Sequence, residues 1–212
     1  MNATLGQAGV ALGLAASCLG AITLAFALLT NRPQLLSVAR TYVWLVVGGA
    51  LLAFVAMERA LITRDFTVLF VANNGSTKTP ALFNVATLWS ALEGSIILWA
   101  VILSGYLVAV VVKFRKRLDD PMVGWALLTM FVVAAFFFGL MVGPANPFKT
   151  FNPPIGYDGP GPNPLLQNNV LMAFHPPMLY LGYVGFTVPF AFAIGALATG
   201  RVRRSGSRPA RS

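Results

Sequence analysis

Histidine and cysteine each occur once in these 212 residues, and only six positions are acidic. A lone Cys18 excludes an intrachain disulfide and a CxxC redox pair. It also excludes CxxCH, the attachment motif for covalent haem, so the chain is not itself a c-type cytochrome. HExxH, a Gly-rich phosphate loop, a nucleophile elbow and clustered metal ligands are missing too. Charged residues make up 10% of the chain, where a soluble domain carries about 25%. That is too few to cover a surface in water. The formal net charge of +9 lies between apolar runs and at the C-terminus rather than on an aromatic-interleaved face. Membrane topology therefore explains it better than nucleic acid does.

What is present is apolar. Five runs, approximately 5–30, 42–62, 82–112, 122–142 and 176–199, are long enough to cross roughly 30 Å of hydrocarbon. Only helices or closed barrels satisfy their backbone in lipid, and runs of this length exclude short strands. The expected fold is all-α, a polytopic integral membrane bundle of about five helices. The first positive charge, Arg32, follows the first run instead of preceding it, so that run is taken as a retained helix and not a cleaved signal. The third run is over-long, which puts its first turns at the interface or in a protein-lined cleft.

Eleven of the fifteen positive charges fall on one side of these spans. They are Arg32, Arg40, Lys113, Arg115, Lys116, Arg117, Arg201, Arg203, Arg204, Arg208 and Arg211; Arg59, Arg64, Lys78 and Lys149 fall on the other. The positive-inside rule then places the C-terminus in the cytoplasm and the N-terminus outside, in a multi-pass protein of the plasma (inner) membrane. Two connections, 63–81 and 143–175, face out. The second is crowded with proline from Pro144 to Pro164, so it is extended and turn-rich. After it, Leu165–Phe174 is too short to span and is expected to form a short interfacial or re-entrant helix. Pro176 and Pro177 are expected in the first turn of the last span, where absent amide donors matter little. Residues 201–212 form a basic tail, expected to be disordered and drawn to anionic lipid.

Few residues here can carry chemistry. His175, at the outer edge of the last span, suits an iron ligand, a general base or an interfacial hydrogen bond. Glu93 is either a carboxylate on a proton or solute path or an interfacial residue, depending on where its helix begins. Glu58, Arg59, Arg64 and Asp65 are expected to form an outer ion-pair cluster of small energetic weight. The four tryptophans, Trp44, Trp89, Trp99 and Trp125, fit an interface belt, though several suit packing against a flat ligand.

Three collinear stretches resemble the CcmF/NrfE haem lyases of cytochrome c maturation. They are Asp65-Phe66 leading to Phe70–Asn74 (FVANN), Leu88–Trp99 (LWSALEGSIILW) and Asn146–Phe186, with its order DG…NPLLQ…HPPMLYLGYVGF. The resemblance implies a function in which haem is taken from a haem chaperone at the outer face and joined to the cysteines of apocytochrome c. It makes His175 an axial haem ligand, and it makes Glu93, Asp65, Asp158, Tyr180 and Tyr183 possible pocket or structural positions. Leu92 stands where many relatives have histidine. The Trp-rich WWD segment and the further histidines of the family are missing from these residues, which suggests a truncated, frame-shifted or split lyase that depends on a missing half or on other maturation subunits. Two other functions compete: a non-catalytic membrane scaffold for those subunits, and a small-solute or proton transporter working through Glu93.

Overall fold

The computed structural model describes residues 1–163 and 169–201, and among them all regular structure is helical. The elements are α1 (Asn2–Leu29), α2 (Pro33–Leu36), α3 (Ala39–Ile62), α4 (Leu69–Asn74), α5 (Ala81–Ala86), a 3-10 turn (Thr87–Trp89), α6 (Leu92–Lys113), α7 (Pro121–Val142), α8 (Leu171–Gly185) and α9 (Thr187–Ala198). Five helices are long and apolar enough to cross a membrane: α1, α2 with α3, α6, α7, and α8 with α9. The protein is an all-helical membrane bundle.

Backbone approach organises its centre. Gly9 and Gly49 bring α1 and α3 together: a Cβ on Gly49 would lie 2.6 Å from the Gly13 nitrogen and the Gly9 carbonyl oxygen. Small residues at a helix crossing permit such closeness, which lipid alone does not drive. On another face of α1, Gly6, Gly13 and Gly20 recur at intervals of seven, and each is covered by an aromatic ring, from Phe148, Phe138 and Phe131 respectively. Those three phenylalanines are fully buried. Two hydroxyls inside the spans return to their own helix: Ser17 donates to the Gly13 carbonyl and Thr129 to that of Trp125.

One end of the bundle gathers the basic connections. There Asp120 caps α7, accepting from the Met122 amide at 3.0 Å, with Pro121 at the first helical position. Arg117 and Arg201 both close on Asp120 at 2.7 Å. Desolvation opposes ionisation of Asp120, but these cations and the capping amide outweigh it and hold the carboxyl below its usual range.

Three boundaries differ from the sequence expectation, each for a local reason. The third span begins at Leu92, not near 82, because Ala91 is extended and breaks the helix. Gly94 then rides against the preceding turn, where a Cβ would stand 1.8 Å from the Leu88 carbonyl oxygen. The last span begins at Leu171, so Leu171–Phe174 form its first turn and not a separate interfacial helix; residues 165–168 lie outside the described residues. Pro176 and Pro177 accordingly sit inside α8 rather than in its opening turn. The expected tail lies outside the described residues from 202 onward.

Candidate functional site

The opposite end of the bundle carries His175 and both long connections, which are fastened to each other. Val68 and Thr150 form an isolated antiparallel bridge, framed by the Leu69 amide donating to the Lys149 carbonyl and the Phe151 amide donating to that of Thr67. Tyr157 donates its hydroxyl to the Ala72 carbonyl at 3.0 Å and sets its ring edge-on to Phe66 and Phe151. Gly161, at φ +80°, donates its amide to the Gly75 carbonyl. That positive φ favours glycine, which has no Cβ to clash.

Asp158 is a staple in this cap. It accepts from the Thr77 amide at 2.8 Å, the Thr77 hydroxyl at 2.7 Å and the Ser76 hydroxyl at 3.3 Å. These bonds, the backbone one foremost, hold its carboxyl below the usual range although it is fully exposed. Asp65 plays the same part for α1: it accepts from the Asn2 side-chain amide at 2.8 Å and from the Thr67 amide and hydroxyl. Partial desolvation opposes its ionisation, but those donors prevail and its carboxyl is held low. The expected ion-pair cluster does not form. Arg59 instead donates to Asn2 Oδ1 at 2.6 Å, and Arg64 donates to the carbonyls of Ser76 and Thr79. Both carboxylate oxygens of Glu58 are buried without a hydrogen-bond partner. The signal for that site was an acid inside an apolar run, which the neighbouring cations disguised as an ion pair.

His175 is exposed on the second turn of α8 and makes no hydrogen bond among the described residues. Its surroundings are apolar and open: Leu171 is 67% exposed, Phe174 61% and Met178 68%. α8 itself is held from behind. Pro176 has no amide hydrogen, so the carbonyl of Met172 four residues earlier loses its helical donor. The indole Nε1 of Trp89 donates to that same carbonyl at 2.8 Å. Below it, Tyr180 donates to Ser95 Oγ at 3.2 Å and meets Trp99 edge-on, and Tyr106 donates to the Leu181 carbonyl. Tyr183 stays 62% exposed. Asn169 opens the helix, its side-chain oxygen accepting from the Leu171 amide at 3.0 Å.

The sequence candidates therefore separate. His175, Tyr180 and Tyr183 share α8, Glu93 is half-buried in the first turn of α6, and Asp65 and Asp158 brace loops. Of the tryptophans, Trp44 is 54% exposed, as a belt residue would be, whereas Trp89 and Trp99 bind α8. Sequence reasoning missed the role of Trp89, and the proline at 176 was the available signal. No group of three metal-ligating His, Cys, Asp or Glu side chains occurs among the described residues.

Residues 89–208, more than half of the chain, match the family described as cytochrome C assembly protein. The chain belongs to that family. Among its relatives, the cytochrome c-type biogenesis protein CcmF of Escherichia coli K12 is 38% identical over 175 residues, 82% of this chain and 27% of that one. CcmF of Haemophilus influenzae is 35% identical over 208 residues, 98% of this chain and 32% of that one. A solved cytochrome c haem lyase CcmF superposes with a TM-score of 0.82 at 39% identity, covering 96% of this chain and 32% of that chain. The chain thus spans about a quarter to a third of the length of the family members it matches. The likeness extends across the loop cap as well as the spans.

Proposed function

We propose that this chain is the haem-handling part of a CcmF-type lyase, presenting haem at the outer face of the cell membrane for attachment to apocytochrome c. The observation that carries this is His175, an exposed imidazole without a hydrogen-bond partner among the described residues, standing on a buttressed helix beside a rigid loop cap. Orientation follows from charge: the basic end lies in the cytoplasm and the loop end outside. The donor set fits one side of a haem. His175 supplies a nitrogen for iron, and Leu171, Phe174 and Met178 supply apolar surface for a porphyrin face. Bound haem brings the vinyl groups that react with cysteine thiols. The chain's own residues hold and orient: α8 fixes the imidazole, and the two loops form a lip that does not need to reorganise. His175 is the only histidine in the sequence, so a second imidazole ligand would have to come from outside these 212 residues. The partners are a haem chaperone, apocytochrome c and further maturation subunits.

The test is to reconstitute the membrane-embedded chain with haem and compare absorption spectra of wild type and His175→Ala. Loss of the imidazole-ligated haem signature in the variant is expected. Identical spectra would remove His175 as the ligand and, with it, this function. One observation favours the scaffold alternative: the most apolar window of the last span is only 17% buried, which leaves a face for other membrane segments. Co-purification of maturation subunits with no haem absorbance in either protein would establish that alternative. Glu93, at a helix end, gives transport no support.

A further inference from the structure

At the basic end, several cations are already engaged. Arg117 and Arg201 share Asp120, and the Arg32 guanidinium lies over the Phe26 ring at 5.8 Å. Arg40, Arg115 and Lys116 are different. They are exposed, none of their side chains forms an ion pair or hydrogen bond among the described residues, and all three line one groove of about 560 Å³. The hydroxyl residues Ser37 and Thr41 also line it, and Asp119 is the only acid there. Three cations against one carboxylate leave the groove positive, and like charges gathered at helix ends repel until an anion sits among them.

We propose that this groove binds the phosphate of an anionic phospholipid headgroup. The guanidinium forks of Arg40 and Arg115 match phosphate oxygens, with Lys116 as a point charge and the Thr41 hydroxyl as a neutral donor. Soluble phosphate shares that chemistry, but the adjoining surface selects lipid. Trp44 follows Arg40 by four residues and Leu45 follows Thr41 by four, so each lies on the same helical face as its partner, one turn deeper in the membrane. Trp44 is 54% exposed and Leu45 41%. An acyl chain hanging from the headgroup runs along that wall, and the tryptophan marks the level where hydrocarbon meets headgroups. Basic grooves between spans on the cytoplasmic side are suited to such headgroups. The site stands at the far end of the bundle from His175 and does not depend on haem binding.

The chain is reconstituted in vesicles of phosphatidylcholine and phosphatidylglycerol, extracted gently, and its retained lipid counted by native mass spectrometry. The triple variant R40Q/R115Q/K116Q, all at exposed positions, is expected to lose phosphatidylglycerol about tenfold or more while phosphatidylcholine is unchanged. A control, R32Q/R201Q, removes two cations from the same end outside the groove and is expected to retain phosphatidylglycerol. Equal retention by triple variant and wild type overturns the site. Equal loss in control and triple variant also overturns it, because attraction is then diffuse. Displacement of the lipid by inorganic phosphate alone would reassign the groove to a soluble anion.

Discussion

Two parts of this bundle are built on opposite plans. α1 meets α3 and α7 through glycines, with the α1 and α3 backbones nearly touching and phenylalanine rings seated on Gly6, Gly13 and Gly20. The last span is divided: α9 sits on α7 by the same device, a Cβ on Gly195 falling 2.6 Å from the Met122 carbonyl oxygen. α8 has none of this intimacy. It is held by single polar bonds that involve Trp89, Tyr180 and Tyr106, and most of its apolar residues stay open. The first plan yields a rigid frame that tolerates little change of volume. The second yields a helix whose position is set by a few directional contacts, which suits an element that must offer a side chain to something large.

That contrast can be broken from either side. Gly49→Val places methyl groups where the α1 backbone runs, and should destabilise the fold by about 3 kcal/mol. A fall in the unfolding temperature of the detergent-solubilised protein would show it, and an unchanged temperature would mean that α1 and α3 can part easily. Trp89→Phe removes the donor that replaces the missing amide of Pro176. Opening of the first turns of α8 should become easier by about 1–3 kcal/mol, seen as faster amide exchange around Met172 with exchange in α1 unaffected. Exchange rising equally in α1 would count against a local role. Tyr180→Phe loses one longer hydrogen bond and should shift the same local exchange by about 1 kcal/mol.

The smallest effect concerns the cap. Asp158 has its carboxyl held below the ordinary value of 3.8, so its bonds to Thr77 are fully present above that value and fade as the pH falls through the depressed one. Wild type should resist protease cleavage between Pro153 and Asn163 at neutral pH and become sensitive only under strong acid. Asp158→Asn should be sensitive already at neutral pH. Equal resistance of the two proteins at neutral pH would show that the ring contacts of Tyr157 suffice.

Much of the frame was legible in sequence because the solvent dictates it: apolar length gives helices, and lysine and arginine counts separate the two ends. The placement of His175 near one end of the last span was legible from the same run of residues. Finer features were not. The start of α6 depended on Ala91 adopting an extended conformation, which its side chain does not announce. The start of α8 depended on Asn169 and on Trp89, the latter 83 residues away in sequence. Glu58 and its neighbours resembled an ion-pair cluster because charge order along a chain does not reveal which amides and carbonyls will intervene. The loop staples at Asp65 and Asp158 are likewise long-range, and no periodicity encodes them.

The mutual fastening of the two loops also sets a schedule for biogenesis. Thr77 and Asp158 stand 81 residues apart, and at ordinary elongation rates that separation takes roughly 4–16 s to synthesise. During that interval the earlier loop must wait, its carbonyls served by water, until α7 has threaded and delivered its counterpart. The finished lip is therefore a checkpoint on insertion: it closes only in molecules whose first four spans have all been laid down in the correct sense.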